Sequence, residues 1–149
     1  MDFREITEKD IDIIYEWVND PTTREQSYSD GKIKYSEHKE WFKDKLHSEE
    51  CHFLIFFNNN KKIGLVRFDL KDDHWVVSIN VAPSERGQGY SVKMLKKASK
   101  YLREKDQRAV YAYIKQQNIP SLKAFERAGY LRKEKIIYKG TESYLYIWK

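Results

Sequence analysis

Hydrophobic residues recur every three to four positions in four segments, the spacing that gives a helix one buried face. These predicted helices span residues 11–18, 36–46, about 94–102, and 121–128. Thr7 and Ser36 are the polar residues expected to cap the first two helices. Gly129 is suited to end the last one, and the first stops before Asp20-Pro21. The polar stretch of residues 22–34 is predicted to be a long loop.

Seven further segments are rich in β-branched and aromatic residues and are bounded by turn residues, which predicts strands. They span residues 3–6, 52–57, 63–70, 75–81, 109–114, 130–138 and 143–148. The order is therefore β-αα-βββ-α-β-α-ββ. It predicts an α/β fold with a mixed sheet, antiparallel at first and parallel later, in a single domain of residues 1–149.

Composition narrows the class of protein. The chain has 149 residues, of which 40% are hydrophobic, enough for a core without disulfides. Its one cysteine, Cys51, is expected to be a small buried hydrophobic residue in a reducing compartment. Because the charged N-terminus lacks a signal-peptide core and no apolar run approaches membrane-spanning length, we expect a cytoplasmic protein. The net charge of +5 is compatible with nucleic acid, coenzyme A or a nucleotide sugar and selects none of them.

The segment with the clearest chemistry is the glycine loop between the fourth strand and the third helix, residues 81–91. A strand, a loop with Gly87 and Gly89, and then a helix is the arrangement in which main-chain N–H groups converge on a phosphate. The nucleotide patterns G-x-x-x-x-G-K-[ST] and G-x-G-x-x-G are both absent from the sequence. The loop alone thus predicts an anion-binding site but does not indicate which anion binds there.

Two segments together carry a family resemblance. Residues 86–91, Arg-Gly-Gln-Gly-Tyr-Ser, resemble the acetyl-CoA pyrophosphate loop R/Q-x-x-G-x-G/A of the GNAT N-acetyltransferases. Residues 118–130 resemble the later segment N-x-x-[AS]-x-x-x-[YF]-E-K-x-G-[FY] of the same family. The resemblance implies the GNAT fold, in which the central strand pair splays apart. It also implies acetyl transfer from acetyl-CoA to a primary amine by direct attack on the thioester, with no metal.

The resemblance also assigns residues to the acetyl-CoA site. The backbone around Ile79 and Asn80 is expected to pair with the pantetheine arm. The Val81 N–H is expected to donate to the thioester carbonyl, where it would stabilise the developing oxyanion. The remaining expected cofactor contacts are Arg86, Gly87, Gln88, Gly89, Tyr90, Ser91, Asn118, Ser121 and Phe125.

Two positions depart from the family pattern. Ser91 replaces the usual glycine or alanine and is small enough for the phosphate contact. Phe125 stands where many relatives have the tyrosine that protonates the leaving thiolate, and phenylalanine cannot donate a proton. Tyr130 and Tyr113 are candidate substitutes. The candidates for the base that deprotonates the amine are His38, Glu37, Asp69 and Glu126.

The N-terminal half suggests an acceptor. Residues 17–24 and 37–42 resemble W-x-N-[DS]-P-x-x-R and E-H-x-x-W-[FL] of GNAT enzymes that acetylate amino-sugar nucleotides, such as those of the pseudaminic-acid pathway. In those enzymes the positions of Arg24 and His38 face the acceptor, and an arginine fork suits phosphate oxygens. His38 is also a candidate to accept the proton.

Three alternatives stay open at this point. An N-terminal peptide, as in ribosomal-protein acetyltransferases, is the other acceptor class. A non-catalytic acetyl-CoA-binding protein is conceivable because of Phe125. An RNA-binding module would use Tyr111, Tyr113 and Trp148 as stacking platforms. The favoured interpretation is an enzyme with a small-molecule partner, without nucleic acid or membrane, acting as a monomer or homodimer.

Overall fold

The computed structural model describes residues 1–29 and 31–149. In this part of the chain one sheet contains seven strands: β1 (Asp2–Glu5), β2 (Cys51–Asn58), β3 (Lys61–Lys71), β4 (His74–Val81), β5 (Val110–Lys115), β6 (Leu131–Tyr138) and β7 (Thr141–Trp148). Their order across the sheet is β1-β2-β3-β4-β5-β7-β6. Every neighbouring pair is antiparallel except β4 and β5, which are parallel. The predicted mixed α/β sheet is confirmed.

Helices cover both faces of the sheet. They are α1 (Ile11–Val18), α2 (Pro21–Gln26), α3 (Tyr35–His47), α4 (Tyr90–Lys105) and α5 (Ile119–Arg127). Alternate residues of β2 enter different cores, because successive side chains of a strand point to opposite faces. Leu54 and Phe56 pack in the core that contains α4 and α5, whereas Phe53 and Ile55 pack in the core that contains α1 and α3. No helix among the described residues is both long and apolar enough to cross a membrane.

The structure differs from the predicted helices at α2 and at the start of α3. Helix α2 lies in the stretch predicted as a loop; Pro21 opens it, and the Asp20 carboxylate caps it by accepting from the Thr23 N–H (3.2 Å). Helix α3 begins at Tyr35 after an extended Lys34, so Ser36 lies inside its first turn rather than at the cap. Gly129 does follow the end of α5, with φ of +96°.

Asp10 ties the start of α1 to the sheet. Thr7 precedes a 3₁₀ turn, Glu8–Asp10, instead of capping α1 directly. The fully buried Asp10 carboxylate accepts from the Thr7 N–H (2.8 Å), from Arg4 (2.7 Å) and from Lys62 (3.2 Å). Burial alone would raise the pKa of Asp10, but these hydrogen bonds outweigh it and lower the pKa to about 2. Strands β1 and β3 are thereby held to the same carboxylate.

Cys51 lies in the core that contains α1 and α3, as predicted. Burial raises the pKa of its thiol to about 12, which keeps it protonated and unreactive at neutral pH.

Candidate active site

Strands β4 and β5 separate shortly after they begin. Among the described residues two pairs join them, Trp75 with Val110 and Val76 with Tyr111. Beyond these pairs a cleft of about 670 Å³ opens between the strands. It is lined from one face of the sheet by α1 and α2, and from the other by the glycine loop and α5. The splayed strand pair expected from the family resemblance is therefore present.

The backbone of β4 turns alternate N–H groups into this gap. The Trp75 N–H donates toward β5, to the Ala109 carbonyl (2.9 Å), whereas the Ala82 N–H donates toward β3, to the Ile63 carbonyl (2.8 Å). Because N–H directions alternate along a strand, Ile79 and Val81 present their N–H groups on the side where β5 has diverged. These two N–H groups are placed to pair with an extended ligand, and that pairing stays a prediction.

Asn80 does not match that prediction. It lies opposite Leu65 of β3, and the same alternation directs its main-chain groups into the sheet. Its side chain instead holds α1 and α2 against β4, since Nδ2 donates to the Trp17 carbonyl (3.2 Å) and Oδ1 accepts from the Thr23 hydroxyl (3.3 Å). Asn80 therefore supports the cleft wall, and its predicted backbone contact is corrected.

The glycine loop turns through two glycines with positive φ. Gly87 and Gly89 have φ of +79° and +76°, a region that glycine adopts at little cost. A Cβ added at either position would meet nothing within 4 Å, so backbone conformation rather than lack of space requires glycine. Gly89 precedes α4, whose first-turn N–H groups have no partner within the helix. The cleft is lined by Gly87, Gly89, Tyr90 and Ser91, whereas exposed Gln88 is outside the lining.

The Arg86 guanidinium is occupied by contacts within the protein rather than left available for a phosphate. Its Nη1 pairs with the Asp20 carboxylate (2.8 Å), Nη2 donates to the Thr23 hydroxyl (3.0 Å), and Nε donates to the Val81 carbonyl (3.2 Å). Burial would raise the pKa of Asp20, but hydrogen bonds from Arg86 and the Thr23 N–H lower it. We call Asp20, Thr23, Asn80 and Arg86 the Asp20–Arg86 network. It joins the glycine loop to α2, and sequence reasoning missed it.

The start of α5 forms another part of the cleft wall. Asn118 caps this helix, accepting from the Ser121 N–H (3.4 Å). Asn118, Ser121 and Phe125 all line the cleft, as expected for cofactor contacts. Phe125 is 2% exposed and packs edge-on against Tyr130. Phe125 thus occupies the position of the family's tyrosine but has no hydroxyl that could donate a proton.

The two candidate substitutes for that tyrosine have different surroundings. Tyr130 is 1% exposed, shares a hydrogen bond with the Ser99 hydroxyl (2.8 Å) and does not line the cleft. Burial raises the pKa of Tyr130 far above its usual range. Tyr113 lines the cleft from β5 and stacks on Tyr138, with ring centroids 3.8 Å apart. Burial also raises the pKa of Tyr113, so it remains a protonated phenol at neutral pH.

His38 is not part of the cleft lining. It is 1% exposed, lies among Tyr15, Trp41 and Phe42, and donates its Nε2–H to the Ile11 carbonyl (2.9 Å). Burial lowers the pKa of the imidazole and favours its neutral form. The prediction that His38 accepts a proton or contacts the acceptor is therefore wrong, and its role is to join α3 to α1.

The other candidate bases also lie outside the cleft lining. Glu37 is exposed on α3. Asp69 forms ion pairs with Lys45 (2.7 Å) and Arg67 (2.8 Å), and Glu126 accepts from the Tyr146 hydroxyl (3.0 Å). Among the described residues, no group of three or more His, Cys, Asp or Glu side chains is arranged to hold a metal ion.

Arg24 lies in the cleft wall, as predicted. It sits on α2, where Nη1 donates to the Gly31 carbonyl (3.3 Å). Its Nε is buried and has no hydrogen-bond partner within residues 1–29 and 31–149. Lys115 also lines the cleft beside α2, where Nζ donates to the Glu25 carbonyl (3.0 Å), and Arg67 lines it from the face that packs on α3, against Trp41. We call the part of the cleft lined by these three cations the acceptor side. The one carboxylate that the described residues bring to the lining, Glu85, lies at the loop and pairs with Lys61 (2.8 Å).

The aromatic residues considered as RNA platforms are packed against other rings. Tyr111 stacks on His74 (3.9 Å between centroids) and Tyr113 on Tyr138, and the Trp148 ring lies 6.2 Å from that of Tyr130 with 27° between their planes. Packing within the sheet explains these side chains, so the RNA-binding alternative has no support from them.

Comparisons with known proteins agree with the fold. The spermidine N-acetyltransferase from Vibrio cholerae, solved with CoA and spermine, superposes with a TM-score of 0.85 at 15% identity, over 98% of this chain and 92% of that one. The aminoglycoside acetyltransferase AAC(6′)-Ib, solved with coenzyme A, gives 0.84 at 18% identity, over 99% and 93%. A domain from Methanocaldococcus jannaschii gives 0.82 at 22% identity, over 99% and 96%. No curated protein matches the sequence.

The sequence itself matches the family described as "Acetyltransferase (GNAT) domain" over residues 1–131, most of the chain. This match includes β4, the glycine loop and α5, the three elements that contribute the expected acetyl-CoA contacts to the cleft lining. The chain therefore belongs to the GNAT acetyltransferase family and is an acetyl-CoA-dependent N-acetyltransferase.

Proposed function

We propose that the enzyme acetylates the amino group of a nucleotide-linked amino sugar, as do the pseudaminic-acid-pathway enzymes that its N-terminal half resembles. One observation carries the proposal. The acceptor side of the cleft is lined by Arg24, Arg67 and Lys115 and, within the part of the chain that the structure describes, by no carboxylate. An acceptor with phosphate groups would complement these charges.

The same charges disfavour a polyamine or aminoglycoside acceptor for this chain. Spermine, bound in the Vibrio cholerae structure, carries several positive charges. Placed beside three cations, each would be repelled, whereas a site for polycations needs carboxylates. The similarity to those enzymes, at 15–18% identity, supports the fold and does not extend to their acceptors.

The cleft residues suit the two substrates. Acetyl-CoA supplies an acetyl thioester, which the acceptor amine attacks while the CoA thiolate leaves. The N–H groups of the loop and of the first turn of α4 hold the pyrophosphate. The Val81 N–H donates to the carbonyl oxygen as negative charge develops on it. The nearby cations Arg24 and Arg67 lower the pKa of the bound amine, so more of it is neutral and able to attack.

Proton transfer is assigned to Tyr113 and to water. Tyr113 lines the cleft and stays protonated at neutral pH, so it can give its phenolic proton to the leaving thiolate in place of Phe125. The amine loses its proton to water, since the four candidate bases predicted from the sequence lie outside the cleft lining. Location in the cytoplasm, action as a single domain, and assembly as a monomer or homodimer stay predictions.

The test is to measure free thiol release from acetyl-CoA with a UDP-linked 4-amino sugar, spermine, and an N-terminal peptide as acceptors. We expect kcat/KM for the nucleotide sugar to be at least about 100-fold higher than for the others, since two charge-assisted contacts are made only there. It should also fall as salt is raised. Turnover of the peptide alone would favour the second acceptor class, and turnover of spermine alone would refute the charge argument.

A further inference from the structure

Arg67 occupies a central position on the acceptor side. It lies on β3, directly opposite Ser78 of β4, and lines the cleft. Its guanidinium carbon is 4.9 Å from the centre of the Trp41 ring and 5.6 Å from that of Phe53. The two aromatic side chains restrict the guanidinium plane. Arg67 is therefore a cation with a fixed orientation and not a mobile surface side chain.

A buried carboxylate fixes one edge of this guanidinium. Arg67 Nε donates to Asp69 Oδ2 (2.8 Å), and the other oxygen of Asp69 accepts from Lys45 Nζ (2.7 Å). Asp69 is 8% exposed. Because one carboxylate is shared by two cations, the group keeps a net positive charge. Nη2 makes only a 3.5 Å contact with the Ser78 hydroxyl, and Nη1 has no hydrogen-bond partner among the described residues.

The distance between Arg67 and the thioester position near Val81 indicates the size of acceptor that fits between them. Ser78 lies three residues before Val81, or about 10 Å along an extended strand. Arg67, paired with Ser78, is thus separated from the thioester position by roughly the length of a sugar ring with its first phosphate. Arg24 approaches the same side of the cleft from α2.

We infer that Arg67 binds the phosphate attached directly to the sugar ring of the acceptor and so determines specificity. This inference rests on the proposed function. The Nη1–Nη2 edge offers two donors in the plane that Trp41 and Asp69 fix, a geometry matched to two phosphate oxygens. The amine at the far end of the ring is then directed toward Val81.

The test compares a 4-amino-hexose 1-phosphate with the methyl glycoside of the same sugar, with thiol release as the readout. Wild type should prefer the 1-phosphate by about 10- to 100-fold in kcat/KM, the effect of a charge-assisted contact. Arg67→Gln should reduce this preference to less than about 3-fold, through the KM of the 1-phosphate. It should leave the KM of acetyl-CoA unchanged and lower turnover of the methyl glycoside by less than about 3-fold, because Arg24 still lowers the pKa of the amine. A merely structural role would reduce activity with both sugars equally.

Two further variants complete the test. Arg67→Lys keeps the charge beside Asp69 but loses the fork, and should reduce the preference several-fold even if the glutamine variant does not fold. Arg108→Gln removes an exposed arginine that pairs with Asp106 outside the cleft and should change nothing. If wild type itself does not distinguish the two sugars, the proposed anionic acceptor is wrong. If wild type does so and both Arg67 variants keep the full preference, only the inference about Arg67 is overturned.

Discussion

Replacing Arg86 should lower kcat while leaving the affinity for acetyl-CoA nearly unchanged. The side chain contacts Asp20, Thr23 and the Val81 carbonyl, so Arg86→Gln releases the end of β4, where the proposed oxyanion donor, the Val81 N–H, lies. The ion pair is partly buried, with Arg86 33% and Asp20 16% exposed. Exposed pairs contribute about 0–1 kcal/mol, and breaking a buried one costs about 3–5 kcal/mol. We therefore expect an intermediate loss of about 2 kcal/mol in the free energy of unfolding.

The effect on catalysis follows from the position of Val81. A displacement of about 1 Å at a reacting group lowers the rate roughly 100-fold, so a smaller shift of β4 should lower kcat about 10- to 100-fold. The dissociation constant of acetyl-CoA should change less than about 3-fold, because the proposed pyrophosphate contacts come from main-chain N–H groups. Calorimetric titration gives the dissociation constant, and thiol release under saturating substrates gives kcat.

Asp20→Asn is the matched partner variant. It removes the same ion pair from the other side, so it should lower kcat similarly, and the double variant should be little worse than either single one. Arg108→Gln, which breaks only an exposed contact with Asp106 (3.8 Å), serves as the surface control. The reasoning is refuted if Arg86→Gln weakens acetyl-CoA binding about 10-fold or more while Asp20→Asn does not, since the guanidinium would then bind the pyrophosphate.

Three other predictions follow from contacts in the structure. Arg24→Ala should raise the KM of the acceptor about 10-fold and leave acetyl-CoA affinity within about 2-fold in steady-state kinetics; an equal loss of both would mean that it supports the fold. Tyr113→Phe should lower kcat about 100-fold, and adding Phe125→Tyr should restore part of it; an unchanged kcat in the single variant would exclude Tyr113 as the acid. Asp10 has a pKa of about 2 in the folded state, below its ordinary 3.8, so it contributes about 2 kcal/mol of stability above pH 4, and this contribution is lost as pH falls through 2. Urea unfolding at pH 7 and at pH 2.5 should therefore show a difference between wild type and Asp10→Asn that shrinks on acidification, and a constant difference would contradict the assignment.

The glycine loop and α4 could be predicted from the sequence because their signals are local. Gly87 and Gly89 indicate a turn with positive φ, and the apolar residues of α4 repeat at helical spacing. Helix α2 was missed because its six residues, Pro21–Gln26, contain no apolar repeat. Asp20 followed by Pro21 is nevertheless a helix-start signal, and it was available in the sequence.

The error at His38 has a comparable cause. His38, Trp41 and Phe42 are spaced i, i+3 and i+4, which places them on one face of α3. Trp41 and Phe42 are recognisable in the sequence as the apolar face of this helix, and the same spacing indicates that His38 is buried with Phe42. The link between Asp20 and Arg86 differs, because 66 residues separate the partners and no local pattern joins them. Only the three-dimensional structure could provide it.

The Asp20–Arg86 network changes how the N-terminal motif is understood. The sequence resemblance attributes residues 17–24 to acceptor recognition, through Arg24 at the end of the motif. In the structure, residues 19–23, which precede Arg24, hold the wall of the cleft in place through hydrogen bonds. The Asn19 side-chain amide donates from Nδ2 to the Ile33 carbonyl and accepts at Oδ1 from the Ile33 N–H, while Asp20 and Thr23 hold Arg86. Arg24 directly follows Thr23, so the position of the acceptor-side cation is fixed relative to Val81 by the same contacts. If the proposed roles of Arg24 and Val81 hold, recognition of the acceptor and polarisation of the thioester depend on one polar network that spans both motifs.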